Sequence, residues 1–543
     1  MLSYRKLAMR VLGRPLHTRG IDSPRPASQR AAAFILTAAM LTTLAAPAFA
    51  DIWRIEDGDI TVKAGETEGT NKVSQGTNKD VVDTNTIITN SNKNTASSHT
   101  VTIEAKDKDD KVEVTLKDVN IDTSSRNKAA VSVTGEGDTN IKLDGDNALK
   151  SDIYRSGIYG SGSGSLTISG GENDSLTAQG GSGANGISSS GSLTISGGTV
   201  TANGDDGGRG ISSSGSVTIS GGSTVTANGG SGTISGGDGI CSSGGVTISG
   251  GSTVTANGGN GGSLVGGDGI RSGGGLTVSD GTVTAKGGNG DSKDGYGGDG
   301  IRSGGVVTIS GNTVNAAGGY GGKVGGYGIC SFDRVAISGG TVEAAGGNGS
   351  TGGGSGIYSS VIDLSGSLEL TAKAGSSNGK ALSQNGKELD LDTIKDKLDP
   401  GAKVTTNANG ETKEVSIPRP VEPEGPVIPE ESSSSSDSGS ATPSAPASPL
   451  PGLTVTDKDG QRISYTSTQS GNTLTVCVGR FTASFRISLA ALRQLRAEGI
   501  ETIAFQTILC STTLSVDELL AMGSEDAEAV LTHRFTDSSL TVG

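Results

Sequence analysis

Three aspartates recur in one tetrapeptide and are the first candidates for chemistry in this chain. Asp238, Asp268 and Asp299 each stand in the sequence Gly-Asp-Gly-Ile. If these tetrapeptides stack in neighbouring coils of one fold, the carboxylates lie about 5 Å apart and repel one another unless a cation neutralises them. Carboxylate oxygens are ligands that Ca²⁺ prefers, so we predict a calcium site here. Arg271 and Arg302 are the alternative partners, because each follows an aspartate by three residues.

Tyrosines and arginines of the same region are candidates for binding sugar. An exposed aromatic face can hold a pyranose ring, although a tyrosine can equally pack at a corner of the fold. The two arginines fall at equivalent positions of a repeat, where a plain surface ladder is the alternative. The predicted carbohydrate-binding residues are Tyr296, Tyr320, Tyr327, Tyr358, Arg271 and Arg302.

The chain supplies few side chains for catalysis. Its three histidines, His17, His99 and His533, are scattered along the sequence, which argues against a triad or a zinc site. The pair Asp205-Asp206 lies in a glycine-rich stretch, where a solvated acidic loop is favoured over general acid–base catalysis. We therefore predict no catalytic residue and no enzymatic activity.

These side chains belong to a repeat that must position them. Each unit holds short strands such as Leu193-Thr194-Ile195 and Val200-Thr201-Ala202, with glycine-rich turns between them. One unit cannot bury its own apolar residues, whereas stacked units share a core. We predict an all-β fold, a three-faced parallel β-helix. A Gly-Ile pair opens each unit, with isoleucines at Ile158, Ile187, Ile211, Ile240, Ile270, Ile301, Ile329 and Ile357.

The predicted domains follow from proline positions and from the repeat. Residues 51–150 are less regular coils, and residues 151–399 are the glycine-rich β-helix with a capping helix near 387–398. Residues 400–452 hold ten prolines and a run of five serines, which is typical of an extended linker. Residues 453–543 regain apolar patterning and two helix signals, so we predict a small α+β domain there.

The first fifty residues resemble an export signal. Arg25 and Arg30 precede an apolar run, and Pro47-Ala48-Phe49-Ala50 follows it. A basic stretch, an apolar segment and an Ala-x-Ala end predict a cleaved signal peptide over 1–50, with an uncleaved anchor as the alternative. We expect a secreted protein, either released or attached to a cell surface, with no transmembrane segment after the leader.

The charge balance excludes one class of partner. The formal charge is −14 for the chain and −20 from Asp51 onward. With no basic stripe in the sequence to neutralise phosphates, we predict no nucleic-acid binding.

The four cysteines divide into two pairs. Cys241 and Cys330 each follow a Gly-Ile isoleucine, three coils apart, which separates them by about 14 Å. A disulfide needs Cα atoms within about 7 Å, so these two are predicted to be unpaired. Cys477 and Cys510 lie in the tail and are a candidate disulfide if their strands are adjacent.

The coils from residue 110 to 375 resemble bacterial carbohydrate-binding β-helix proteins, non-catalytic relatives in fold of pectate lyases. The resemblance rests on Val114–Asp122, Ala129–Val133, Asn140–Leu149 and the following Ser165–Gly170. It implies a right-handed helix and a secreted protein that binds plant polysaccharide such as polygalacturonate, sometimes with calcium. These motifs determine the fold more than the ligand. The Gly-His-Gly and Arg-Ile-Lys motifs of pectin-hydrolysing relatives are absent from the sequence.

Three functions stay open at this point. The first is non-catalytic carbohydrate binding at a cell surface or outside the cell. The second is an adhesin-like stalk that displays the C-terminal domain, and the third is a polysaccharide lyase with a divergent site. Outward Thr-x-Thr pairs on successive strands also resemble ice-binding solenoids, but Asn315 and Glu343 interrupt that array.

Overall fold

The computed structural model describes residues 52–376, 378–418, 453–456, 462–463, 465–470, 472–478, 483–507, 511–522, 527–533 and 538–542. They belong to two bodies, one that runs up to Pro423 and one that begins at Glu424. The predicted signal peptide, over residues 1–50, lies outside the described residues. So does the part of the predicted linker from 419 to 452.

The first body is the predicted parallel β-helix. In the described residues its 35 strands stack in about 13 turns, and pairing between turns is parallel almost throughout. The register follows the repeat: Ile187 pairs with Ile211, and Ile211 pairs with Ile240. The all-β, three-faced fold is therefore confirmed.

Each of the three faces is a ladder of short strands. The first face follows the Gly-Ile pairs and consists of Ile60–Ala64, Val101–Ala105, Val131–Gly135, Ile158–Gly160, Ile187–Ser189, Ile211–Ser213, Ile240–Ser242, Ile270–Ser272, Ile301–Ser303 and Leu382–Gln384. The second face consists of Ile52–Arg54, Ile87–Thr89, Lys111–Lys117, Asp138–Asp144, Leu166–Ser169, Leu193–Ser196, Val217–Ser220, Val246–Ile248, Leu276–Val278 and Val307–Ile309. The third face consists of Asn120–Asp122, Asp146–Lys150, Ser175–Ser182, Thr199–Asp205, Thr224–Asn228, Ser252–Asn257, Gly281–Lys286, Thr313–Ala317 and Lys403–Ala408. Two long strands pass through all three faces: Ile329–Ala345 and Ile357–Lys373.

The core is a set of inward columns, one residue per coil. The isoleucine of every Gly-Ile pair is fully buried. On the third face Val200 and Ala202 point inward in one coil, and Val225 and Ala227 take the same places in the next. Because strand residues alternate between the two sides of a sheet, their neighbours point outward and are free to vary.

The ends of the β-helix are closed by irregular elements. At the start, Asn71–Gln75 and Asn78–Asp83 pair antiparallel beside the 3₁₀-helix Ile55–Asp57. The buried Trp53 Nε1 donates to Asp83 Oδ2 there at 2.9 Å.

At the other end the predicted boundary at residue 399 is wrong. The expected cap is a 3₁₀-helix, Leu391–Lys397, next to a short strand at Lys387–Glu388. The chain then adds Lys403–Ala408 to the third face and folds back as Glu411–Ser416. Pro400 stands in the turn before these strands, so it interrupts no ladder and does not mark the start of a linker.

Glycine-rich segments leave each later coil between the third face and the next first strand. We name these segments the glycine arms: residues 229–239, 258–269, 287–300, 318–328 and 346–356. They are stacked and hydrogen-bonded: Gly267 N donates to Gly259 O, and Gly259 N donates to Gly237 O, both at 2.8 Å. A Cβ on Gly267 would lie 1.9 Å from the Gly237 carbonyl oxygen, so only glycine fits.

The second body has its own core and the predicted α+β composition. Ser488 caps its first helix, because Oγ accepts from Ala491 N at 3.2 Å. Its helices are Leu489–Ala497 and Val516–Met522. One sheet contains Leu453–Thr456, Ala483–Ser488, Glu528–His533 and Ser538–Val542. The other contains Thr466–Ser470, Thr473–Cys477, Thr502–Gln506 and Ser511–Ser515.

Candidate functional site

Most of the predicted metal-binding and sugar-binding residues lie at the corner that leads into the first face. Two columns of side chains run along this corner, one residue per coil. The aspartate column holds the residue two places before each inward isoleucine: Ser156, Asn185, Arg209, Asp238, Asp268, Asp299, Tyr327 and Ser355. The outward column holds the residue directly after that isoleucine: Tyr159, Ser188, Ser212, Cys241, Arg271, Arg302, Cys330 and Tyr358.

Each aspartate of the first column accepts a hydrogen bond from the backbone of the next coil. Oδ1 of Asp238 lies 2.9 Å from the N of Asp268, and Oδ1 of Asp268 lies 2.8 Å from the N of Asp299. Asp299 accepts in the same way from Tyr327 N at 2.7 Å. Asn185 makes the equivalent bond in an earlier coil at 2.8 Å. The three carboxyl groups therefore stack in neighbouring coils, as expected, and help to hold the coils together.

Ion pairs with two arginines offset part of the repulsion between these acids, and burial favours the neutral, protonated form of Asp268 and Asp299. Arg209 Nε lies 3.2 Å from Asp238 Oδ2, and an Arg302 guanidinium nitrogen lies 3.2 Å from Asp299 Oδ2. Asp268 lies between them, is 6% exposed, and makes no ion pair within the described residues. Burial, reinforced by the neighbouring carboxylates, raises the pKa of Asp268 to about 8. Burial likewise raises the pKa of Asp299, to about 6.

The calcium site stays a prediction. In the part of the chain that the structure describes, no group of three or more His, Cys, Asp or Glu side chains is arranged to hold a metal ion. Of the two arginines expected as alternative partners, Arg302 pairs with Asp299, whereas Arg271 pairs with no aspartate among the described residues. The second ion pair is formed instead by Arg209, with Asp238, although its place in the sequence did not indicate this.

Most of the predicted sugar-binding residues form one group, the late cluster, with an aromatic residue that was missed. The rings of Tyr327 and Tyr358 stack with centroids 4.9 Å apart and planes at 18°. Arg302 Cζ lies 5.1 Å from the centroid of the Phe332 ring, and Phe332 is 56% exposed. The late cluster is defined as Arg271, Arg302, Tyr327, Phe332 and Tyr358. Phe332 could have been found from the repeat, since the preceding coil has a glycine at that place.

Two of the four predicted tyrosines lie elsewhere. Tyr296 and Tyr320 are on the glycine arms, where they are 41% and 47% exposed. Lys323 Nζ lies 5.5 Å from the centroid of the Tyr296 ring. The structure thus divides the predicted tyrosines into a corner pair and an arm pair.

Arginine is concentrated at the corner of an otherwise acidic chain. Seven arginines lie between residues 51 and 417, and five of them are at or just before the first face: Arg126, Arg155, Arg209, Arg271 and Arg302. Arg126 pairs with Asp59. Arg155 and Arg271 are exposed and make no ion pair with any described residue. The corner therefore presents two unneutralised guanidinium groups that can bind an anion.

The cysteines of the β-helix are thiols of the outward column, of which Cys330 is buried and Cys241 is half-buried. Cys241 and Cys330 are both free and lie three coils apart, so the predicted absence of a disulfide between them is confirmed. Burial raises the pKa of Cys241 to about 11 and that of Cys330 to about 12. In the tail, Cys477 is a free thiol that donates to Gln506 Oε1 at 3.3 Å. Its suggested partner, Cys510, lies outside the described residues.

Comparison with known proteins identifies no family for this chain. The chain matches no family model, no curated protein and no solved structure. Within the described ranges, no helix has the length and apolar character needed to cross a membrane.

Proposed function

We propose that this chain is a secreted or cell-surface protein that binds an acidic polysaccharide, such as polygalacturonate, without cleaving it. The observation that carries the proposal is the arginine-lined corner of an acidic chain, where Arg271 is exposed and forms no ion pair with a described residue. A chain of net charge −14 repels a polyanion overall, so electrostatic attraction to one requires that its cations are gathered in one place. The leader-like first fifty residues support export.

The late cluster offers both kinds of contact that a uronic acid needs. The exposed ring of Phe332 can lie against a sugar ring, and the fork of Arg271 can bind its carboxylate with two hydrogen bonds. The backbone of Arg271 is fixed by ladders on two sides, and Phe332 directly follows Ser331, the last paired first-face residue of its coil. Little conformational entropy is then lost on binding.

Affinity for polygalacturonate, measured by gel retardation of the whole protein, tests this proposal. Arg271→Ser introduces the residue that Ser212 provides two coils earlier, and Phe332→Gly introduces that of Gly304. Each variant should weaken the affinity by about tenfold, because each removes one charge-assisted or aromatic contact. Lys286→Ala, on the third face, is the matched control and should change nothing. Unchanged retardation in both corner variants, or none in the parent, would refute the proposal.

A chelator separates two modes of binding in the same assay. If arginine alone receives the sugar carboxylates, retardation is the same with calcium and with chelator. Retardation that the chelator abolishes would instead favour the predicted calcium site at Asp238, Asp268 and Asp299. Release of shorter products from the polymer would favour the lyase.

An adhesin-like stalk is the second candidate. The observation in its favour is the second body, which has a separate core around Phe485 and Phe505. Deleting residues 453–543 should leave polysaccharide binding intact under the first proposal. Under the second, the deletion should abolish attachment to cells while the corner variants have no effect.

A further inference from the structure

A second group of exposed aromatic and cationic residues lies on the same corner, four coils before Arg271. We name it the early cluster: Ile153, Tyr154, Arg155 and Tyr159. Tyr154 is 78% exposed, Ile153 is 55% exposed and Tyr159 is 44% exposed. Apolar side chains of this size are exposed together at few places on a folded protein, and such places commonly bind something.

The backbone holds Tyr154 outward in a conformation that tyrosine rarely adopts. Its φ is +59°, in the left-handed region that disfavours bulky side chains. Its N–H donates to Ser182 O at 2.9 Å, and the ring lies over Gly183 of the next coil. The Asp152 carboxylate accepts from Ile153 N at 2.7 Å and so fixes the turn. A strained aromatic residue on a well-anchored turn is a candidate for recognition rather than for packing.

The cation beside this ring is available to a ligand. Arg155 Nε donates to Asn127 Oδ1 at 3.2 Å, which positions the side chain. Its two terminal nitrogens make no hydrogen bond or ion pair with a described residue. The one acid in the turn, Asp152, is occupied by the backbone N–H groups of Asn127 and Ile153. The early cluster therefore repeats the late cluster's combination of an exposed ring and an unneutralised guanidinium.

The outward column connects the two clusters. Tyr159 and Tyr358 occupy the same column seven coils apart, which corresponds to about 34 Å along the solenoid axis. Between Tyr159 and Arg271 the column holds only small side chains: Ser188, Ser212 and Cys241. Bulky groups thus stand at both ends of this stretch of the column, and one further cation lies between them, because a guanidinium nitrogen of Arg209 is 3.5 Å from Ser212 Oγ.

We infer that a single acidic polysaccharide chain lies along this corner, parallel to the solenoid axis, and contacts the early and late clusters at once. The inference rests on the proposed function and adds the binding direction, a second subsite and a minimum ligand length. A ligand held at one cluster meets the other at high effective concentration. Affinity should therefore rise about 10²-fold once the saccharide spans both clusters.

Titration calorimetry of the whole protein with oligogalacturonates of increasing length tests this inference. Short oligomers should bind weakly and similarly, and affinity should then rise steeply at a length that spans about 34 Å. Tyr159→Ser, which copies the neighbouring Ser132 and Ser188 of the column, should reduce that rise without changing the binding of short oligomers at the late cluster. Arg155→Gln should do the same, and Tyr154→Asn offers a third variant that tolerates the positive φ.

The outcomes separate this inference from the proposed function. If short oligomers bind and affinity does not rise with length, or if the early-cluster variants bind long oligomers as the parent does, the single-chain path is wrong while glycan binding stands. If no oligomer or polymer binds, the proposed function fails and the path fails with it. Lys286→Ala again serves as the control, because it changes a cation on a different face.

Discussion

Replacing Asp268 with asparagine should stabilise the β-helix near neutral pH. Asparagine keeps an Oδ1 atom that can accept from Asp299 N, as Asn185 already does for its own next coil. It removes the one acid of the column that has neighbouring acids on both sides and no arginine partner. The change therefore preserves the bond between coils and relieves the cost of an ionisable group in a buried site.

The size of the effect must depend on pH. Burial raises the pKa of Asp268 to about 8 in the folded protein, whereas an aspartate in an unfolded chain titrates near 4. Below pH 4 the carboxyl is neutral in both states, so the substitution should change little there. As the pH rises from about 4 to about 8, the unfolded chain releases its proton first and parent stability falls. At pH 7 the three intervening pKa units correspond to about 4 kcal/mol in favour of the variant.

Urea denaturation followed by circular dichroism at pH 4, 5.5, 7 and 8 measures this dependence. Asp109→Asn, at an exposed position, is the control and should shift the midpoint equally little at each pH. Asp299→Asn is the informative comparison, because it leaves Arg302 without its carboxylate and should gain less. A variant of Asp268 that destabilises the protein, or whose gain is the same at pH 4 and pH 7, would refute the reasoning.

Three further predictions follow from buried contacts. Ser272→Ala should lower the free energy of unfolding by about 1–2 kcal/mol in urea denaturation, because the buried Ser272 Oγ lies 2.9 Å from the Gly275 carbonyl oxygen. Ser190→Ala, at an exposed position, should cause no comparable loss. Gly267→Ala should make the glycine arms sensitive to limited proteolysis, whereas Gly311→Ala should not, since its Cβ would meet no atom closer than 3.6 Å. The half-buried Cys241 thiol, with its pKa raised to about 11, should be alkylated about 10²-fold more slowly at pH 8 than a free cysteine. Rapid labelling of that peptide, measured by mass spectrometry, would contradict the raised pKa.

The sequence predicts the fold well because the inward residues repeat. Leu193, Val217 and Val246 pair in register on the second face, and each follows its Gly-Ile pair at nearly the same distance. A column of this kind allows only one strand register, because a shift by one residue would turn every apolar side chain outward. The same regularity brought the three aspartates together in the expected order.

Other features escaped prediction because they depend on contacts between coils. The ordered glycine arms result from close approach of two backbones, which composition alone presents as a flexible loop. Arg209 pairs with Asp238 of the following coil, although the sequence pointed to arginines three residues after an acid. Tyr154 stands where no repeat signal exists, so only the exposed ring and the positive φ reveal it.

The alternation of strand residues explains where function can reside in this protein. Ile240, Ile270 and Ile301 cannot change without opening the core, because each is fully buried against its neighbours. The next residue in each coil points outward, so the core does not restrict its type. At these places the chain has Cys241, Arg271 and Arg302. Side-chain types vary along this one column while the inward residues of the coils stay the same. Binding to a specific ligand requires such variation, whereas a stalk does not. The corner is therefore the first surface to test.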